Sequence, residues 1–408
     1  MKLLKADWLI TCDEYFTIIE NGCVVFGTHI IEYGEFDDIV QKYSNIQIIQ
    51  TAPNSIILPG LINPHVHLEF SANKTTLKYG NFMTWLSSVI ESRADLIEKA
   101  DSTLIDDEIK NILFSGTTTL GAVSSYGFDI QSCLNTPLNI VYFSEIIGSN
   151  AGMIDALFSD FQARLSNALN NKSERFIPAI AIHSPYSVHP FLIRETLKLA
   201  TQHNLSVTAH FLESNEEKEW LESSSGGMLD FFKNFLNQTQ SITKAEEFLN
   251  QFKGIENLSF THCCQANQEE LEKIDQLGGT IIHCPVSNRF LTNTTISFDD
   301  LRHRSFALGT DGLSSNYSLS LWEEMKNALF IHKNENITEL ATKLLKASTR
   351  GGAKALGMDK KGKIAKDFDA DIITVTLPDI CDKNNVVLQM ILHTKKATKV
   401  FIKGEKIV

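Results

Sequence analysis

Two histidines separated by one residue, His65 and His67 in LPGLINPHVHLEF, are the first groups in this chain that could do chemistry. Side chains at i and i+2 leave a β-strand on the same face, so both imidazoles could grip one cation. A solvated strand with alternating polar residues produces the same pair, and the pair alone does not separate the two readings. Three further residues raise the metal reading: His210 in TAHFLES, His262 in SFTHCC and Asp311 in LGTDG each end an apolar, strand-like run. Imidazole and carboxylate are the ligands of zinc-type divalent ions and the usual groups of acid–base catalysis. Each residue has an ordinary alternative, either a buried histidine bonded to backbone or an aspartate capping the next helix. The same placement at every strand end favours a metal centre over five separate accidents.

The elements that must position these groups alternate along the chain. Strand-like runs occupy 55–62, 117–123, 138–146, 176–182, 205–210, 258–262, 280–283 and 306–310. Helical patterns fill the gaps, among them 82–93, 106–115, 190–203 and 319–333. Parallel strands need crossover connections, and eight of them close a sheet, so the expected class is α/β, a (β/α)8 TIM barrel. An open doubly wound sheet would want G-x-G-x-x-G after an early strand, and the chain has none. Catalytic residues of a barrel collect at the carboxyl ends of its strands, where these five lie. Both ends of the chain are rich in short β-runs and lack helical periodicity. They are expected to form one small discontinuous β-sandwich, from 1–57 and 359–408, around a barrel at 58–358. The segment 223–254 is longer than an ordinary βα connection and carries helical patterning (MLDFFKNFL, AEEFLNQF), as an insertion or lid at the rim would.

Composition narrows the function classes. The 408 residues suffice for a barrel of roughly 250 residues plus a smaller unit. Hydrophobic residues make up 43% and charged residues 21%, as in an ordinary globular enzyme. A formal charge of −12 and the lack of a basic stripe argue against nucleic acid. No apolar run reaches the roughly 18 residues of a membrane span, and Lys5 and Asp7 interrupt any signal-peptide core. Seven scattered cysteines without C-x-x-C read as reduced thiols in a cytoplasm. The zinc deaminases that act on bases within nucleic acid carry P-C-x-x-C, which is absent. A free small molecule is therefore the expected substrate.

PGLINPHVH, HFLE, THC, HCPVSN, GTDG and the tail KASTRGGAKALG with GKIAKDFDADIITV together resemble the amidohydrolase superfamily, over nearly the whole length. The likeness is to its cytosine, adenosine and guanine deaminase and chlorohydrolase branch. It implies one metal ion, Zn²⁺ with Fe²⁺ as the alternative, held by His65, His67, His210 and Asp311. Superfamily members with two metals carry a carboxylated lysine ending strand 4; His183 stands there, which implies a single ion. The catalytic residues implied are Glu213, His262 and Asp311. Asp311 would accept a proton from the attacking water, Glu213 would donate to a ring nitrogen and then to the leaving amine, and His262 would hold the water or the developing charge. The ordinary reading of Glu213 is a first-turn helix carboxylate.

HVHLEFS followed by a FMTWL helix is similar to the aminofutalosine deaminases of menaquinone biosynthesis, which act on an adenine nucleoside with a benzoate-like 5′ group. Methylthioadenosine or S-adenosylhomocysteine deamination is the alternative, with guanine deaminase and triazine chlorohydrolase more distant. A metal-stabilised binding protein on the same scaffold is the non-enzymatic alternative. Candidates to meet a purine nucleoside are Glu69, Trp85, His183, His283, Asn288 and Arg289, with Arg93 and Ser287 beside them. Each also has a bland role, as a loop carboxylate, core packing or a surface cation. A homodimer is the expected assembly.

Overall fold

The computed structural model describes residues 1–72, 75–379 and 381–408. Eight parallel strands run in chain order around the centre: β1 Leu61–Val66, β2 Thr117–Ser124, β3 Asn139–Ile146, β4 Phe176–Ile182, β5 Val207–Phe211, β6 Leu258–His262, β7 Thr280–His283 and β8 Phe306–Leu308. These runs are apolar because helices cover their outer face and the barrel interior covers the other. In β3, NIVYFSEI, all eight residues are buried. Ile140 and Tyr142 join the large outer core, whereas Val141 and Phe143 pack with Ile62, Val123, Ala179 and Ala181. The ladder is unbroken from β1 to β8, and its two ends meet through side-chain and main-chain bonds. Thr310 and Asp311 donate their backbone N–H to the His65 carbonyl, and Asn63 exchanges hydrogen bonds with Thr310. The barrel thus closes at the residues that carry its chemistry.

Two further sheets lie outside the barrel, one built from the N-terminal end alone and one from both chain ends. One contains Ile30–Glu35, Gly22–Phe26, Lys2–Lys5 and Gln47–Gln50 in that order. In the other, Ser55–Pro59 pairs antiparallel with Ile372–Thr376, tying the two ends of the chain together. Leu4, Val24, Phe26, Ile57, Ile372 and Phe401 form a buried cluster between them. The run expected as one strand over 55–62 is therefore two. Ser55–Pro59 belongs to the terminal sheet, and the barrel strand begins at Leu61. Gly60 sits at the join, where a Cβ would run into Thr118.

The helical expectations hold with local changes: 82–93 divides into Phe82–Glu91 and Arg93–Lys99, and 190–203 forms as one helix, Pro190–His203. The long segment after β5 folds as helices Asn215–Ser223, Gly227–Leu236 and Ala245–Asn250. Among the described residues no helix is long and apolar enough to cross a membrane.

Candidate active site

His65 and His67 leave the end of β1 with ring centroids 4.8 Å apart, and His210 in β5 joins them at 4.8 Å from His65. The His65 and His210 rings are each turned by a second contact. His210 Nδ1 lies 2.8 Å from the His183 carbonyl and donates to it, which leaves Nε2 a lone pair. His65 Nδ1 lies 3.3 Å from Thr261 Oγ1, and its buried Nε2 has no hydrogen-bond partner among the described residues. His67 Nε2 and His210 Nε2 face each other at 3.3 Å. Asp311 Oδ1 completes the group at 3.7 Å from His65 Nε2 and 3.6 Å from His67 Nε2. Asp311 Oδ2 accepts from Ser287 and Ser315, both at 2.7 Å, and Oδ1 from the Gly312 N–H at 2.9 Å.

Burial pushes His67 down to about 3 and His210 well below the usual imidazole range, so both are neutral and able to coordinate. Burial alone would raise Asp311, but the facing imidazoles outweigh it and hold the carboxyl well below its ordinary value. Buried nitrogens with lone pairs facing one another and an ionised carboxylate form a donor set that fits a divalent cation. An orphaned His65 Nε2 in the absence of such an ion would be costly.

Glu213 and His262 lie on the other side of Asp311. Glu213 follows β5 and is held through its backbone: Glu217 accepts from the Leu212 and Glu213 N–H groups at 3.2 and 2.8 Å. Glu217 in turn sits in a helix whose first turn Ser214 caps. His262 ends β6 with φ +74°, and Asp311 follows β8 with φ +60°. Left-handed backbone at non-glycine residues is uncommon, and here it aims both side chains at one point. His262 Nε2 lies 3.4 Å from Glu213 Oε1. Burial, with the charge of Asp311, pushes the Glu213 carboxyl well above its ordinary value, so it keeps a proton to give.

These groups form the floor of a cavity of about 460 Å³. Its walls are mostly apolar: Phe70, Trp85, Ile147, Tyr186, Phe231 and Phe232 among them. A match to the amidohydrolase family covers residues 56–407. The chain belongs to that family. An aminodeoxyfutalosine deaminase from Nitratiruptor sp. is 42% identical over 407 residues, covering all of this chain and 99% of that one. An adenosine deaminase from Helicobacter pylori is 32% identical, with both chains fully covered. A crystal structure of Helicobacter pylori aminofutalosine deaminase in complex with methylthio-coformycin superposes with a TM-score of 0.95 at 32% identity, both chains again fully covered.

In this amidohydrolase the residues expected from sequence divide into three groups. His65, His67, His210, Asp311, Glu213 and His262 converge on the floor. Trp85 and His183 line the cavity: Trp85 Nε1 donates to the Ser314 carbonyl at 2.8 Å, and His183 Nδ1 lies 2.6 Å from Ser187 Oγ. Arg93 is at the exposed rim, its guanidinium 5.1 Å from the Tyr126 ring. The remaining five do not face the cavity; of these, buried Ser287 donates to Asp311 Oδ2. Glu69 is 2% exposed, and its carboxylate accepts from the backbone N–H groups of Ser125, Tyr126, Gly127 and Phe128 and from Ser124 Oγ. With its acceptor sites so engaged it holds a turn and has nothing to offer a ribose. His283 and Asn288 are fully buried behind His262, Asn288 bonded to His262 and His283 to His332. Arg289 is exposed on helix Pro285–Leu291, directed away from the cavity.

Sequence reasoning missed Glu145, which ends β3 as Asp311 follows β8. Its Oε1 is buried without a hydrogen-bond partner among the described residues and 4.0 Å from His210 Nδ1, while burial raises the carboxyl to about 7. The signal was present: a lone acid at the carboxyl end of an apolar run. Phe231 and Phe232 were also missed, because helical periodicity does not say which face of an insertion turns inward.

Proposed function

We propose that this chain is a metal-dependent aminohydrolase that replaces the 6-amino group of an adenine-type nucleoside with oxygen, with aminodeoxyfutalosine as substrate and menaquinone biosynthesis as its setting. The observation that carries the reading is the convergence of Glu213, His262 and Asp311 on one point beside His65, His67 and His210. Full-length similarity to an aminodeoxyfutalosine deaminase supports the substrate. His65, His67, His210 and Asp311 would hold one ion, zinc by their chemistry. Such an ion supplies Lewis acidity, drawing the pKa of a water toward neutrality.

The protein groups do the rest. Asp311 accepts the proton of the attacking water. Glu213 gives its proton to a ring nitrogen, which makes the adjacent carbon electrophilic. It then carries the proton left on the added oxygen to the departing amine, and the proton held by Asp311 restores Glu213. His262 accepts a hydrogen bond at the tetrahedral carbon's substituents through Nε2. One C–O bond forms, one C–N bond breaks, and ammonia leaves. His183 and Trp85 contact the purine and its sugar, and the apolar wall takes the 5′ substituent. Methylthioadenosine is the second reading, favoured by the methylthio-coformycin in the Helicobacter pylori structure. Seven free cysteines support a cytoplasmic setting.

Ammonia release by zinc-loaded enzyme from aminodeoxyfutalosine, methylthioadenosine, S-adenosylhomocysteine, adenosine, adenine and guanine tests the proposal. Preference for the first is expected. Preference for methylthioadenosine would reassign the substrate, and no turnover with metal bound would overturn the deaminase reading.

A further inference from the structure

Behind His262 runs a buried hydrogen-bond chain that the reaction above does not use. His262 Nδ1 lies 2.8 Å from Asn288 Oδ1, Asn288 Nδ2 lies 3.5 Å from His283 Nδ1, and His283 Nε2 lies 3.1 Å from His332 Nε2. The first three residues are at most 1% exposed and His332, just past helix Leu321–Ile331, is 7% exposed.

With Asn288 Oδ1 facing His262, donor and acceptor chemistry gives this chain a direction. An amide oxygen only accepts, so in that orientation His262 Nδ1 carries the hydrogen. An amide nitrogen only donates, so His283 Nδ1 is a lone pair. A neutral His283 then carries its hydrogen on Nε2 and donates it to His332. No link reverses alone. Turning the Asn288 amide over would set its NH₂ against His262 and its oxygen against His283, and every ring would have to exchange tautomers. Because these side chains are buried, a half-reversed chain would leave a buried donor or acceptor unpaired.

The direction decides what His262 offers to the cavity. With its hydrogen on Nδ1 it presents Nε2 as a lone pair, and that buried atom has no hydrogen-bond partner among the described residues and faces Glu213 Oε1. The opposite tautomer would present N–H, which cannot accept from a water or from the Glu213 hydroxyl. We propose that Asn288, His283 and His332 are positioning residues that hold His262 in the tautomer whose Nε2 lone pair faces the reacting centre. A structural filler would work in either direction, whereas this role requires one.

Nitrogen-15 NMR of the zinc-loaded, ¹⁵N-histidine-labelled enzyme reads the tautomer directly, with the His262 signals assigned by their loss in His262→Asn. The wild type is expected to carry hydrogen on Nδ1 of His262. In His283→Leu the Asn288 amide is free to turn, so both tautomers should appear and kcat should fall about 10–100-fold, as when supporting residues of a metal site are removed, with KM near the wild-type value. His283→Gln, whose side-chain oxygen can face Asn288 Nδ2, should restore the single tautomer and most of kcat. If His283→Leu fails to fold, His332→Leu at the outer end is read in the same way. Hydrogen on Nε2 in the wild type overturns the proposal. So does a His283→Leu enzyme that keeps one tautomer, whether or not its kcat falls. The kinetic readout rests on the deaminase reading and the spectrum does not: Nδ1 hydrogen in an enzyme that deaminates nothing supports this chain and overturns that function.

Discussion

Glu213 and Asp311 are both buried carboxyl groups beyond strand ends, yet their surroundings drive them in opposite directions. Burial and the charge of Asp311 keep Glu213 protonated, whereas the imidazoles around Asp311 overcome its burial and keep it ionised. Two like groups with separated pKa values are the arrangement of an acid and a base. Glu213→Gln keeps the shape of the site but has no proton to shuttle. It is expected to retain bound metal, measured by atomic absorption, and to lose about 10²–10⁴-fold in kcat. On the proposed function Asp311→Asn would remove a ligand and the base together, so both metal content and turnover should fall. The pH profile follows from the same pair. Glu213 must carry its proton, so kcat/KM should decline as pH rises through its raised pKa, well above the ordinary carboxylate range. A profile flat to high pH would remove Glu213 from the acid role.

At the scale of elements, Glu69 works through the turn it holds. It lies in the short 3₁₀ turn Leu68–Phe70 after β1 and gathers the backbone N–H groups of 125–128 after β2. That turn carries Tyr126, which lines the cavity and meets Arg93 at the rim. Glu69→Ala would orphan several partly buried donors, at about 1–3 kcal/mol for each that water does not reach. The expected outcome is a clear fall in Tm with a rise in KM, while Glu69→Gln, which keeps one acceptor oxygen, loses less. The opposite wall is built by helix Gly227–Leu236, which presents Phe231, Phe232 and Leu236 to the cavity and leaves Phe235 62% exposed.

Across the whole molecule, the donor set bridges β1, β5 and the segment after β8, so the metal site and the closure of the barrel coincide. The His65 carbonyl receives the N–H groups of Thr310 and Asp311, while the His65 ring faces the Asp311 carboxylate. An ion that binds only the folded chain adds RT ln(1 + [L]/Kd), about 4 kcal/mol at a thousandfold excess over Kd. Chelation should therefore lower Tm, and zinc should restore it, measured by calorimetry. An unchanged Tm on verified metal removal would mean that the floor is closed without the ion.

His65, His67, His210, His262 and Asp311 were legible in the sequence because each lies at the end of an apolar run, and parallel strands bring such ends to one side. Local periodicity and strand direction suffice for that, and they also made the barrel and the shared β-structure of the two termini legible. The division of 55–62 between two sheets was not, since both halves are equally apolar and only pairing with Ile372–Thr376 separates them. Glu69 and Asn288 sit beside chemical residues in the chain, and their neighbours suggested substrate contacts. Their partners, 125–128 for one and His262 with His283 for the other, come from strands far away in sequence. Sequence determined which polar groups reach the mouth of the barrel. The tertiary structure alone decided which face the substrate and which are consumed by other protein atoms, because a buried polar group takes whichever partner packing brings within about 3 Å.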